Sequence, residues 1–180
     1  MNKVRYWIQG IWPVLLTAAI VIGLDQWTKE LVRQNIPKFG QTEPIPALAP
    51  YFLFQHVDNY GAAFGMFQGG GLFFTTVAFI VSLGILFYAT RLPLSNWWIR
   101  ILLGMQMGGA IGNVVDRLNQ GYVTDFIKMG IPGVYYWPNY NIADASIVCG
   151  VIGLAITIII EDIREQRAQQ QKQMAEPGVG

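Results

Sequence analysis

The sequence predicts an integral membrane protein of the all-α class with a small β element. Three observations predict it. Of 180 residues, 53% are hydrophobic and 13% charged, where a soluble domain carries about 25% charge. Four apolar runs are long enough to cross a ~30 Å hydrocarbon core, which takes ~20 helical residues. Between the runs lie stretches mixing aromatic and β-branched residues with turn formers, the pattern of short strands. The net charge of +1 gives no electrostatic footprint for nucleic acid, so none is expected as a partner.

The runs cover about 7–24, 72–90, 97–115 and 142–160. Each is continuous rather than alternating, and a backbone in lipid must satisfy itself internally, so helices are expected. Pro13 falls early in the first run, where a missing donor is tolerable. The leader MNKVRYWIQGIWPVLL has Lys3 and Arg5 before apolar residues, yet no small-residue cleavage site follows, so it reads as a retained first helix. Gly104, Gly108 and Gly112 recur every fourth position in the third run, a stripe that permits close helix packing. Cys149 is the sole cysteine and reads as a small buried hydrophobe.

The remaining chain divides into two outer segments, 25–71 and 116–141, and a polar tail, 161–180, within one membrane domain spanning 1–180. The first segment opens with DQWTKELVRQNIP, a short helical pattern ended by Ile36-Pro37. It continues through PALAPYFLFQHVDNYGAAFGMF, which reads as short strands on the bilayer surface. The second carries Gly121, Gly130, Pro132, Gly133 and Pro138 and reads as a loop. Its YYWP cluster suits an interfacial aromatic belt. Four spans place both termini on one side with seven Lys and Arg residues, against five opposite, a lean towards cytoplasmic termini.

Seven of eleven acidic residues fall on the outer side, and that asymmetry points to chemistry. His56 is the only histidine; no HExxH pattern or cysteine pair offers a metal site. Ser82 and Ser95 cannot meet His56, and Ser146 lacks a nucleophile elbow. Carboxylates remain. Two held together share one proton, because like charges at short range cannot both ionise cheaply. One can then take a proton from water while the other hydrogen-bonds the carbonyl under attack. Asp25, Asp58, Asp116, Asp125 and Asp144 give ten such pairs, and residue physics alone leaves them open. Bland readings stand beside each. Asp144 is favourable at N3 of a helix capped by Asn141, and Asp125 suits a turn. Asp116 and Arg117 read first as an ion pair, mutual or interfacial, Asp25 with Lys29 as a surface pair, and Asn113 as an interhelical hydrogen-bonder.

Read in order, DQWTK (25–29), NYGAAFG (59–65), GNVVDR (112–117), VTDF (123–126) and NIAD (141–144) resemble the five motif regions of the lipoprotein signal peptidases. The resemblance runs from Asp25 to Ala145 and leaves the leader and tail outside. It implies four membrane helices with a periplasmic β-cradle and a short amphipathic helix. It implies an aspartic endopeptidase that cuts prolipoproteins on the amino side of a diacylglyceryl-modified cysteine, with no cofactor and no metal. Asp125 and Asp144 match the catalytic aspartates. Asn59, Asn113, Arg117 and Asn141 match polar residues lining the site, and Asp25 and Lys29 a supporting pair. Gly61 and Phe64 belong to the substrate-cradling element, and Asp116 and Ala143 fall in the same motifs as supporting positions. The implied setting is the bacterial inner membrane, multi-pass, with the site facing the periplasm and both termini cytoplasmic. Prolipoprotein substrate, membrane lipid and the inhibitor globomycin are the expected partners of a monomer. A small transporter and a structural membrane adaptor are the competing readings.

Overall fold

The computed structural model describes residues 3–61 and 69–175. Its elements in chain order are α1 (Lys3–Asn35), β1 (Gln41–Thr42), a 3-10 turn (Pro46–Leu48), β2 (Phe52–Asn59), α2 (Gly71–Ala89), α3 (Trp97–Gln120), β3 (Val123–Ile131), β4 (Tyr135–Tyr136) and α4 (Ile142–Ala175). The short helical pattern that opens the first outer segment is the continuation of α1, which stays helical through Asn35. No residue between Leu24 and Asn35 is Gly or Pro, so nothing breaks the ladder until Pro37.

Glycines set how closely the helices pack. A Cβ at Gly104 would lie 2.7 Å from the Val14 carbonyl oxygen, and one at Gly108 2.8 Å from that of Ala18. A Cβ at Gly109 would collide with the Ala143 carbonyl oxygen. The contacts Gly104–Val14, Gly108–Ala18 and Gly112–Asp25 make α1 and α3 run the same way. Gly109–Ala143 and Gly153–Leu102 make α4 run opposite to α3. At one end the buried Arg100 guanidinium donates to the carbonyls of Gly10 (2.8 Å), Pro93 (2.8 Å) and Leu92 (2.9 Å), tying α1 to the α2–α3 turn. Val14, Ala18, Ile85, Ala89, Leu103 and Met107 form the core beside it.

Among the described residues, three helices are long and apolar enough to cross a membrane: Trp7–Asn35, Gly71–Ala89 and Ile142–Gln171. Their outward residues, among them Leu16, Ile20, Phe79, Ile80, Ile152 and Ile156, are apolar and exposed, as a lipid-facing surface requires. The third sequence run, α3, is not among the three. It lies between α1 and α4 with ten residues buried, so it is built for contact, with small residues where its neighbours use oily ones.

The four strands form one antiparallel sheet in the order β1-β2-β3-β4. Residues 123–131, read from sequence as loop, are a nine-residue strand. The glycines there punctuate rather than dissolve it. Gly121 takes φ +82° to end α3, a conformation that favours glycine. Gly130 gives Tyr136 room to pair, since a Cβ would lie 2.6 Å from the Tyr136 Cα. The β2–β3 register sets Val57 against Asp125 and Asn59 against Val123, which brings Asn59 diagonally beside Asp125 on one face. Phe126 and Ile127 pack with Val32 and Ile36 of α1.

Candidate active site

Asn141 begins the site because it begins α4. Its Oδ1 accepts the Asp144 backbone N–H at 2.9 Å, while Asp144 Oδ2 accepts the Asn141 N–H at 3.3 Å. This reciprocal cap fixes the Asp144 side chain at the positive end of the helix. Its other oxygen, Oδ1, accepts from Asn113 Nδ2 at 2.8 Å. Asp125, on β3, accepts from Asn59 Nδ2 at 2.8 Å and from Asn141 Nδ2 at 2.7 Å. Asn113 Oδ1 accepts both Asn141 Nδ2 at 3.1 Å and Lys29 Nζ at 3.0 Å. The two aspartates thus end a chain of four side chains, Asp125–Asn141–Asn113–Asp144, in which both amides turn their N–H groups toward carboxylate.

Lys29 anchors that chain. Its ammonium is fully buried and meets Asp25 Oδ2 at 2.7 Å and Asp116 Oδ2 at 3.0 Å. The remaining Asp25 oxygen accepts the Ala143 N–H at 2.9 Å, pinning the first turn of α4. Asp116 Oδ2 accepts the Thr124 N–H at 3.0 Å, pinning β3 next to Asp125. Asp25 with Lys29 is therefore a buried pair, not a surface one, because α3 and α4 close over that face of α1. The Asp116–Arg117 pairing expected from sequence does not form. Adjacent residues on a helix project about 100° apart, so Asp116 turns inward to Lys29 while Arg117 turns to the cavity. There the Arg117 guanidinium donates to Gly61 O at 3.3 Å and to Asn113 O at 3.4 Å. Phe64 lies outside the described residues.

A cavity of about 590 Å³ joins these groups. Asn59, Gly61, Asn113, Arg117, Asp125 and Asp144 line its polar end. Ala145, Ile147, Val148 and Cys149 carry it along α4. Cys149 is exposed, contrary to the buried reading, because α4 turns that face away from α3. His56 is buried elsewhere, its Nδ1 2.8 Å from the Ile36 carbonyl oxygen, and does not line the cavity. Lys38 pairs with Asp58 at 2.6 Å, which removes Asp58 from the candidate pairs.

Two supports went unread in the sequence. Gln26 Nε2 lies 3.0 Å from Asp116 Oδ1, 3.1 Å from Gly112 O and 3.2 Å from Asp25 Oδ2. Thr124 Oγ1 accepts from Arg33 at 3.1 Å and Gln120 at 3.0 Å. The one usable signal was Gln26 itself, an amide at the end of an apolar run that needs partners. Thr124 gave none.

Burial, and next the neighbouring Asp144 charge, push the Asp125 carboxyl up from 3.8 to about 7. The Asn59 and Asn141 N–H groups and the Lys29 charge pull the other way and are outweighed. A carboxyl poised near neutrality beside a second one supplies an acid and a base at the same pH. A membrane-embedded bundle with such a pair in a largely apolar cavity has the form of an aspartic hydrolase.

Comparison with known proteins makes that class specific. The family model described as signal peptidase (SPase) II matches residues 17–160, and the chain belongs to that family. It is 38% identical over 162 residues to the lipoprotein signal peptidase of Xanthomonas campestris pv. campestris (strain 8004), covering 88% of this chain and 93% of the other. With the lipoprotein signal peptidase of Syntrophus aciditrophicus (strain SB) it shares 40% identity over 150 residues, covering 81% and 91%. A bacterial membrane enzyme solved by the in meso method at 2.3 Å superposes with a TM-score of 0.76 at 29% identity, covering 84% of this chain and 90% of that one.

Proposed function

We propose that this protein is a lipoprotein signal peptidase, removing the signal peptide of a diacylglyceryl-modified prolipoprotein on the amino side of the lipidated cysteine. The observation that carries the reading is the pair Asp125 and Asp144 at one cavity, held by Asn59, Asn141 and Asn113. The ionised member of the pair takes a proton from water as the oxygen attacks the scissile carbonyl. The protonated member hydrogen-bonds the carbonyl oxygen while negative charge grows on it. Collapse of the tetrahedral intermediate breaks the C–N bond, and a proton passes to the departing amine. The products are a new carboxylate and a free amino terminus, with no covalent enzyme adduct. Arg117 reaches the cavity beside Gly61 and is placed to hold a substrate carbonyl. Lys29, Asp25, Asp116 and Ala143 position the pair without touching substrate.

The same reading takes α3 as the fourth span. Its 24 residues give about 36 Å of helix, and it runs alongside α1 through the same layer. Both termini then lie on the cytoplasmic side of the bacterial inner membrane and the dyad at the periplasmic edge, in a monomer open to globomycin. The charged residues buried among those described, Asp25, Lys29, Arg100, Asp116 and Asp125, sit at the two ends of the bundle. A transport relay through its middle finds no support there. The test uses purified full-length protein and one prolipoprotein with and without the diacylglyceryl group. Cleavage before the lipidated cysteine is expected, and an intact modified substrate would overturn the reading.

A further inference from the structure

The lone histidine, His56, takes no part in the cavity, yet it stands where β2 changes register. Phe52, Leu53 and Phe54 pair with Met129, Lys128 and Ile127, and pairing resumes with Val57 opposite Asp125. Gln55 and His56 of β2 therefore face the single residue Phe126 of β3, which is a bulge of one residue. Continued without the bulge, the ladder would set His56 opposite Asp125 and Asn59 opposite Tyr122. A slip of one residue exchanges the two faces of a strand. The bulge thus decides that Asn59 is presented on the Asp125 side, where its Nδ2 donates to Asp125 Oδ2 at 2.8 Å.

A bulge frees backbone groups from the ladder, and buried ones must find partners elsewhere. His56 N–H donates to Gly40 O at 3.1 Å, Phe39 N–H to His56 O at 2.9 Å, and Phe126 N–H to Tyr140 O at 3.0 Å. The buried imidazole adds a further tie. Its Nδ1 lies 2.8 Å from Ile36 O, which can only accept, so Nδ1 carries the hydrogen. Ile36 directly follows α1, where helix carbonyls run out of intrahelical partners. At the far edge of the ring, Nε2 lies 3.5 Å from Asp58 Oδ1, and Asp58 Oδ2 meets Lys38 Nζ at 2.6 Å. The chain leaving α1, residues 36–40, thus grips residues 56 and 58 immediately before Asn59.

Resting on the function proposed above, we infer that His56 is a positioning residue for the hydrolysis: its bond to Ile36 O pins the bulge that sets Asn59 on Asp125. The ring touches neither the cavity nor the dyad and acts through Asn59. The Asn59 N–H stabilises the ionised Asp125 and opposes the burial that raises that carboxyl. With the bulge released, Asn59 withdraws, Asp125 keeps its proton to higher pH, and the pair loses its aim at the scissile carbonyl.

Three uncharged substitutes separate this role from mere filling. His56→Asn places an amide where Nδ1 stands and keeps the donor to Ile36. His56→Gln places its amide where Nε2 stands and loses that donor, and His56→Leu fills the site with no donor. Any effect of ring charge on Asp125 is common to all three. So are the charged groups around that carboxyl, Asp144 from α4, Lys29 from α1 and Arg117 from α3. Cleavage of a diacylglyceryl-modified prolipoprotein is followed from pH 5 to pH 9, below the melting temperature of every variant. His56→Asn should stay close to wild type. His56→Gln and His56→Leu should lose about tenfold or more in kcat and move the pH profile above that of His56→Asn. In an Asn59→Ala background the same two changes should cost less than about twofold. Equal losses or equal profiles across the three, or full additivity with Asn59→Ala, overturn the inference; if one of the two donor-less variants does not fold, the other decides. A wild type that cleaves nothing removes the proposed function instead. The Asp125 carboxyl titration, read by carbon NMR without substrate, then still decides the inference: a higher midpoint in His56→Gln than in His56→Asn supports it, and equal midpoints overturn it.

Discussion

Lys29→Met tests the anchor under the dyad. Methionine nearly matches the apolar stem of lysine and removes the ammonium, with its charge and its hydrogen bond to Asn113. The ammonium is fully buried between Asp25 at 2.7 Å and Asp116 at 3.0 Å. Two carboxylate oxygens bound to one nitrogen lie within about 6 Å of each other, and at an effective dielectric of about 20 their repulsion is about 3 kcal/mol. Removing one partner of a buried ion pair costs about 3–5 kcal/mol. Asp25 and Asp116 both keep neutral donors, Ala143 N–H and Thr124 N–H, which favours the lower half of that range, so about 3–4 kcal/mol is expected. The assay is unfolding in detergent by tryptophan fluorescence, for Lys29→Met, Asp116→Asn and the double variant. The pair should couple strongly, with Asp116→Asn offsetting part of the Lys29→Met loss because it removes the unpaired charge. A Lys29→Met loss under about 1 kcal/mol, or additive single effects, would refute the reasoning.

Two further outcomes follow from the same geometry. The folded Asp125 carboxyl titrates near 7 against 3.8 when unfolded. Between those values the native state holds a proton that the unfolded chain releases, so its contribution to stability falls as pH rises through the window and levels off above it. Stability of wild type relative to Asp125→Asn, followed by thermal unfolding from pH 4 to pH 8, should therefore decline and then flatten; a rising difference would contradict the burial argument. Gly109→Ala should destabilise by about 1–3 kcal/mol and displace the start of α4, because the added carbon meets the Ala143 carbonyl oxygen. Gly84→Ala, with nothing within 4 Å, should be neutral or mildly stabilising; equal melting shifts for the two would sink the packing account.

What the sequence made legible was local or repeated. The Asn141–Asp144 cap is a three-residue offset, the glycine stripe a period of four, and the spans are runs. What it hid was tertiary. Lys29 stands four residues from Asp25, and that much could be read, but Asp116 joins them from another helix. Arg117 follows Asp116 in sequence, which suggested a pair that helical geometry then separates. The strand at 123–131 was masked because its glycines end α3 and admit Tyr136 rather than form a loop. Cys149 looked buried because an apolar run does not say which side of a helix meets a cavity. Asp125 and Asp144 stood among ten possible pairs until family resemblance narrowed them. In the fold they converge because the β2–β3 register and the α4 cap, neither periodic, point both carboxylates into one cavity.

The central claim is that this pair performs the hydrolysis. The direct measurement is single-turnover cleavage of a diacylglyceryl-modified prolipoprotein by wild type, Asp125→Asn and Asp144→Asn, each shown to be folded by its melting curve. Each substitution is isosteric and removes one half of the acid–base couple, so a loss of at least about 10³-fold is predicted for both. Cleavage within about tenfold of wild type by either folded variant would contradict the account.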